Sequence, residues 1–249
     1  MDKNYVNTLL DNLLDSIDEM KNSIEEIKED FEDEKSAPES LDYSRNAFCM
    51  SLADVDRLVS GRLSAIVLKP GDVIYSGKMK FKVIDVGNMK PINARPDEKH
   101  VLLRLEGFIT DGTPFDKENN NVWEFASIRT YLNNDVFNML SVEDQAVIKY
   151  VKLYTGKDSA VTTDRVFLLS AKELGLVKDE AGDVLPYFTG DEADTHRMYY
   201  DKEGDSRCYF TRSPYPGYAY GVRYVSSDGS LSVNGACSGV GAVPACVLI

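Results

Sequence analysis

Histidine is scarce in this chain, and closely paired cysteine is missing from it. The two histidines, His100 and His196, lie far apart in 249 residues, and the four cysteines (Cys49, Cys208, Cys237, Cys246) form no Cys-x-x-Cys pair. A structural zinc site needs four nitrogen or sulfur ligands at short spacings, so no metal is expected. The thiols read as free and buried in a protein made in a reducing compartment. No apolar run approaches the roughly 18 residues of a membrane-spanning helix, so no membrane insertion is expected. A basic segment followed by an apolar one, the mark of a secretory signal, is also missing. There is no run of Lys and Arg, and the formal net charge is −13, which argues against nucleic acid as a partner. The GxSxG, HExxH, P-loop and dinucleotide fingerprints are all absent. A nucleophilic cysteine needs a neighbouring base, and neither histidine stands in such a setting. Asp191, Glu192 and Asp194 cluster without the spacing of a calcium loop and read as solvated. With no metal, no cofactor and no catalytic fingerprint expected, the chain reads as a binding protein rather than an enzyme.

The acidity that is present is local. Residues 1–45 hold 14 Asp and Glu against 5 Lys and Arg, a balance of −9, which leaves −4 for the remainder. In the same segment Val6, Leu10, Leu13, Ile17, Met20, Ile24, Ile27 and Phe31 recur in alternating steps of four and three. That is a heptad seam, with Leu10, Ile17, Ile24 and Phe31 at a and Val6, Leu13, Met20 and Ile27 at d. So narrow a stripe needs a partner helix, so self-association is expected, the alternative being one amphipathic helix packed on its own domain. Leu9 and Leu14 widen the stripe, which favours more than two helices and a trimer, although mixed Leu, Ile and Met do not set the number. Pro38, in a charged stretch, ends this helix. The expected layout is a coiled-coil oligomerisation or attachment helix over 1–35, a linker with a short helix over 36–67, and one domain over 68–249.

From Leu68 onward the pattern is mostly strand. Val73–Tyr75, Lys80–Ile84 and His100–Phe108 alternate or run apolar, with a turn at Ser76-Gly77. Two helices are expected next: one over Ile128–Leu132 capped by Ser127, the other opened by Ser141 with Asp144 and running to Ile148. Arg165–Leu169 reads as a strand, and Ser170-x-x-Glu173 as a capping box for a short helix. Past Cys208 only strands and turns are expected. Ser227-Asp228-Gly229-Ser230 joins a hairpin of Val222–Val225 and Leu231–Val233, and Val243–Ile249 closes the chain as a buried strand.

Three segments in this order carry a resemblance: Trp123-x3-Ser127-Ile128-Arg129-x2-Leu132-Asn133-x3-Phe137, then Thr163-Asp164-Arg165-Val166-Phe167-Leu168-Leu169-Ser170, then Arg212-Ser213-Pro214 with Asp228-Gly229 and Gly241-x2-Pro244-Ala245. Together they resemble a bacterial and phage-encoded domain family of C-type-lectin-like fold and unknown function, over roughly residues 68–249. Tyr209-Phe210-Thr211 stands where that family shows Trp-Trp-Leu, and Val243 where it shows Arg. The resemblance implies an α+β fold, a C-type-lectin-like domain with a mixed sheet, two helices and a loop-rich C-terminal face, here preceded by the coiled-coil helix. In related proteins that face is diversified by a retroelement that mutates template adenines. Formylglycine-generating enzymes share the fold class, which keeps an intracellular enzyme as an alternative and directs attention to Cys237 and Cys246.

Composition bears on diversification independently. Adenine mutagenesis of AAC or AAT codons yields only codons ending in a pyrimidine, which never encode Lys, Gln, Glu, Met or Trp. Residues 1–203 contain 42 of these five types, and residues 204–249 contain none. Strand and turn segments deplete Lys and Glu in any case, so a plain β region is the competing explanation. Either way the tail has the makeup of a binding surface, with Tyr for rigid area and Ser, Gly and Asn for adaptable hydrogen bonds. Positions matching the family frame are assigned to structure. Those between them, Tyr215, Tyr218, Tyr220, Arg223, Tyr224, Ser226, Ser232, Asn234, Ala236 and Ser238, are the candidate ligand contacts. The expectation is a phage-type receptor-binding or display protein on the virion surface, made in the host cytoplasm, possessing a hypervariable face for a cell-surface protein or glycan. A bacterial surface adhesin is the further alternative.

Overall fold

The computed structural model describes residues 47–61, 67–110, 112–156 and 160–249, and these are α+β. The heptad seam, and with it the expected coiled coil and trimer, lies outside the described residues. Strands β1 (Ala47–Cys49), β2 (Val73–Ser76), β3 (Met79–Val86), β4 (Val101–Glu106), β7 (Val166–Phe167) and β11 (Cys246–Leu248) form one sheet, in the order β1-β2-β3-β4-β11-β7. β8 (Tyr209–Pro214), β9 (Gly221–Val225) and β10 (Leu231–Gly235) form a second, and β5 (Val151–Thr155) pairs with β6 (Ala160–Asp164). Among the described residues, no helix is long and apolar enough to cross a membrane.

The large sheet begins earlier than expected. β1 pairs in parallel with β2, and α1 (Leu52–Val59), capped by Ser51, buries Leu52 and Val55. The stretch read as a linker with a short helix therefore supplies an edge strand to the fold besides the expected helix. In β3 the alternation of Phe81 and Val83 gives way at a register shift between Val83 and Asp85, so Val83, Ile84 and Asp85 are all buried. β4, with neighbours on both sides, is buried on both faces from Val101 to Leu105. The expected closing strand is β11, laid antiparallel between β4 and β7, where its apolar run fills the sheet's interior.

Helical segments follow the caps, with two departures. Ser141 caps α3 (Val142–Val147) by accepting the Asp144 amide at 3.1 Å, while the Asp144 carboxylate accepts Ser76 Oγ at 2.7 Å and the Ala53 amide at 3.2 Å, fastening α1. Ser127 does not cap α2 (Ser127–Tyr131); Ala126 holds that place, and Ser127 Oγ accepts the Lys117 amide at 3.0 Å instead. The Ser170–Glu173 capping box closes reciprocally, at 2.9 and 3.1 Å, but starts only a single turn. Gly175, at φ +72°, ends it where an added Cβ would sit 3.0 Å from Phe188 O. The strand expected over Arg165–Leu169 pairs only at Val166–Phe167. α4 (Ala193–Arg197) then leads to the second sheet. All four cysteines are free, yet only Cys246 is buried; Cys49 and Cys237 are exposed, because each lies at a sheet edge or hairpin end rather than under one.

Candidate functional site

Buried polar side chains connect the quoted sequence segments to one another. Asp164 accepts hydrogen bonds from Trp123 Nε1 (3.1 Å), Thr162 Oγ1 (2.9 Å) and Arg129 Nε (2.7 Å), so the first two segments meet on one carboxylate. Asn133 accepts the amides of Arg165 and Val166 and donates to Val166 O at 2.9 Å, completing a backbone edge that no strand covers. Arg212, 1% exposed, grips Glu173 with both terminal nitrogens and donates to Leu168 O at 2.7 Å. Ser213 Oγ accepts the Ala171 amide at 2.8 Å and donates to Glu180 at 2.6 Å. A buried pair costs desolvation that hydrogen bonding must offset; here every carboxylate is met, while Arg212 Nε has no partner among the described residues. These residues tie strand β8 of the second sheet and the quoted segments together through side-chain hydrogen bonds. The profile of DUF6273, a domain of unknown function, matches residues 98–249, well over half of the chain and all three segments. The chain belongs to the DUF6273 family. No curated protein matches it, and neither does any solved structure.

On this DUF6273 frame the tail residues divide. Tyr218 and Tyr220 are 53% and 51% exposed, and half-buried Tyr215 stacks on Tyr218 with ring centres 5.6 Å apart. Tyr220 meets Tyr218 edge-on at 6.0 Å, so the three rings form one continuous aromatic surface. Asn234 is exposed, and its Oδ1 accepts Ser238 Oγ at 3.1 Å. Ser226 and Ser232 are half-buried, and Tyr224 leans edge-on against buried Phe210 at 6.4 Å. Arg223 and Ala236, expected at the surface, are buried. Arg223 is 6% exposed because its guanidinium turns inward to Glu180, at 2.5 Å, and to Asp179, at 3.5 Å. Ala236 is fully buried where its amide donates to Tyr220 O and its carbonyl accepts the Asp116 amide, an approach that leaves no outward face.

Sequence reasoning missed the loop that holds this surface. Asn121 Nδ2 donates to Tyr218 O (2.6 Å) and Gly221 O (3.0 Å), and its amide donates to Ala219 O (3.0 Å). Asn119 Oδ1 accepts the Cys237 amide, and Asp116 organises the loop by accepting the amides of Glu118, Asn120 and Ser127. The available signal was Asn119-Asn120-Asn121, a run of side chains suited to satisfying backbone groups of irregular chain. Hairpin β9–β10 is seated by Gly229, at φ +84°, where an added Cβ would lie 2.2 Å from Asp194 O; Arg197 Nε donates to Gly229 O at 3.0 Å.

A second buried cluster lies under the large sheet. Arg104 pairs with Glu106 at 2.7 Å, near Tyr199, Tyr209 and Cys246. Burial pushes the Cys246 thiol well up, more than nearby Arg104 lowers it, so it stays protonated at neutral pH. The phenols of Tyr199 and Tyr209 are likewise raised by burial and spend their hydroxyls on Leu105 O and Arg197 O. For Glu106, burial works to raise its pKa, but Arg104 and Lys82 together hold it below the usual carboxylate range. The cluster braces the fold through charge pairing and does not present a nucleophile. In the acidic stretch Asp194 pairs with Arg197 and Glu192 with His196. Among the described residues no three His, Cys, Asp or Glu side chains group as metal ligands.

Proposed function

We propose that this chain is a receptor-binding or display protein whose ligand face is the aromatic surface of Tyr215, Tyr218 and Tyr220. The carrying observation is that two large aromatics are half exposed on a loop whose backbone is pinned by buried Asn121. Exposed tyrosines on a held backbone offer contact area with little entropy left to lose on binding. The missing Lys, Gln, Glu, Met and Trp beyond residue 203 support diversification of that face by a retroelement. Burial narrows the set free to vary: Tyr218, Tyr220 and Asn234 project outward, whereas Arg223 and Ala236 are committed to the interior. The C-type-lectin-like fold, and a coiled coil over residues 1–35 that trimerises the chain or attaches it to a virion, complete the proposal. Several weakly binding heads on one stalk gain avidity without new contacts.

The test uses the labelled full-length chain against a panel of intact bacterial cells. Saturable binding to at least one strain is expected. The Tyr218→Ala/Tyr220→Ala variant should lose that binding by tenfold or more while its melting temperature stays near wild type, since exposed side chains contribute within about 0.5 kcal/mol. Unchanged binding, or global unfolding of the variant, refutes the assignment.

A further inference from the structure

Among the described residues every arginine but one ends on a carboxylate, and the exception is Arg165. Its guanidinium lies over the Phe137 ring, 3.6 Å from the centre, and beside the Tyr150 ring, at 5.2 Å. Attraction between cation and ring holds the guanidinium in place through its flat faces. The N–H groups around its rim are left unspent, since among the described residues only the backbone amide of Arg165 is hydrogen-bonded, to Asn133. Phe137 is 4% exposed, so Arg165 covers it; an aliphatic side chain would cover it as well but would bring no donors. Arg165 is half-buried, and so its rim reaches solvent.

Strand register sets a second cation on the same face. β5 and β6 pair Lys152 with Thr163 and Val151 with Asp164, so the next rung places Tyr150 opposite Arg165, in keeping with their ring contact. Tyr150, Lys152 and Tyr154 are exposed at alternate positions, with Val151 and Leu153 buried between them. Lys152 Nζ lies 5.4 Å from the Tyr154 ring centre and pairs with no carboxylate among the described residues. The adjacent acid, Asp164, turns to the buried side, where Trp123, Thr162 and Arg129 use it. Lys152 and Arg165 are diagonal neighbours across the strand pair, a separation of about 7 Å. Alternate side chains of an extended peptide are also about 7 Å apart. We infer that this face of the β5–β6 hairpin docks an extended acidic segment of a partner protein. One carboxylate meets the rim of Arg165, whose paired N–H groups match its two oxygens, and the carboxylate two residues away meets Lys152. A nucleic acid would offer phosphates to the same cations. A chain of net charge −13, however, repels a long polyanion far more than a segment with a few carboxylates. The face shares no residue with the tyrosine surface, so the inference stands apart from the display reading.

The full-length chain is titrated into a fluorescein-labelled peptide of alternating Glu and Thr, and binding is read by anisotropy. The same peptide with Gln for Glu and a labelled oligothymidylate serve as comparisons. The acidic peptide should bind saturably, with Kd on the order of 0.1 mM at low salt, and should weaken as salt is raised. Arg165→Met keeps cover over Phe137 while removing the charged rim, and should weaken binding about tenfold, the worth of a charge-assisted hydrogen bond. Lys152→Ser, at an exposed position, should weaken it about threefold, as an exposed ion pair would. Arg165→Lys keeps the charge without the planar fork and should restore only part of the affinity lost in Arg165→Met. No saturable binding of the acidic peptide, equal binding of the Gln peptide, tighter binding of the oligothymidylate, or unaltered affinity in either charge-removing variant overturns the inference. Should Arg165→Met fail to fold, the comparison of Lys152→Ser with wild type decides alone.

Discussion

Replacing Arg223 by Met tests where the interior ends and the proposed ligand face begins. Arg223 lies on β9 between exposed Tyr220 and half-buried Tyr224, a place that by sequence reads as surface. In the folded chain its guanidinium pairs with Glu180, whose side chain is 3% exposed and otherwise accepts only from Ser213 Oγ. Removing the cation leaves a carboxylate buried with one hydroxyl for company. Breaking a buried pair in this one-sided way costs about 3–5 kcal/mol. In a domain of this size each kcal/mol moves Tm by about 2–4 °C, so a fall on the order of 6–20 °C is expected. Urea unfolding followed by far-ultraviolet circular dichroism gives the free energy directly. Adding Glu180→Gln removes the stranded charge while keeping an acceptor for Ser213, so the double variant should recover more than about 1 kcal/mol relative to additivity. If Arg223→Met is instead within about 0.5 kcal/mol of wild type and ligand binding falls, the residue belongs to the face and the burial argument is refuted.

Asn121→Ala should release the loop under the tyrosines. It removes the side-chain bonds to Tyr218 O and Gly221 O, which keep only the backbone bonds from the Gly221 and Tyr215 amides, a loss of about 2 kcal/mol of local stability, and amide exchange over residues 215–221 should accelerate more than tenfold. Unchanged protection there would show that the loop is held by other means. Gly229→Ala, at φ +84° and against the Asp194 carbonyl, should cost about 2–3 kcal/mol in thermal unfolding; a neutral result would mean that the hairpin does not approach α4 this closely. His100 is 1% exposed, and among the described residues neither ring nitrogen makes a well-formed hydrogen bond, although the Ile249 backbone lies beside the ring and Glu98 is 3.9 Å from Nε2. Burial lowers its pKa more than Glu98 raises it. Below about pH 6.5 the unfolded chain therefore takes up a proton that the folded chain refuses, and stability falls as pH drops from there towards the lowered folded value. His100→Leu should flatten that slope, and an unaltered pH profile of Tm would refute the assignment.

The strand pattern and the hairpin were legible because each rests on local chemistry. Val222–Val225 and Leu231–Val233 flank a turn whose Asp228 accepts from Ser230 and whose Gly229 takes positive φ, all within a few residues. Ser141 likewise caps from its own neighbourhood. Ser127 and Arg223 departed from expectation, and Glu173 does more than close its expected capping box, for a shared reason. Each has a local role available, as cap, capping-box acid or exposed strand residue, and each has partners elsewhere: Lys117 for Ser127, Arg212 for Glu173 and Glu180 for Arg223, the last two about 40 residues away along the chain. Asn121 was invisible for the same reason, since the carbonyls it serves are some hundred residues distant. The early edge strand β1 was missed because three residues carry no period to read.

By itself the sequence determined the order of strands and short helices and the strand-rich, tyrosine-rich tail, because alternation, turn residues and composition are properties of neighbouring positions. Tertiary structure alone decided which tail residues reach solvent. A β-strand side chain points to one of two faces, and whether that face meets water or a buried carboxylate depends on what the rest of the chain packs against it. Tyr218 and Tyr220 fell outward, Arg223 and Ala236 inward.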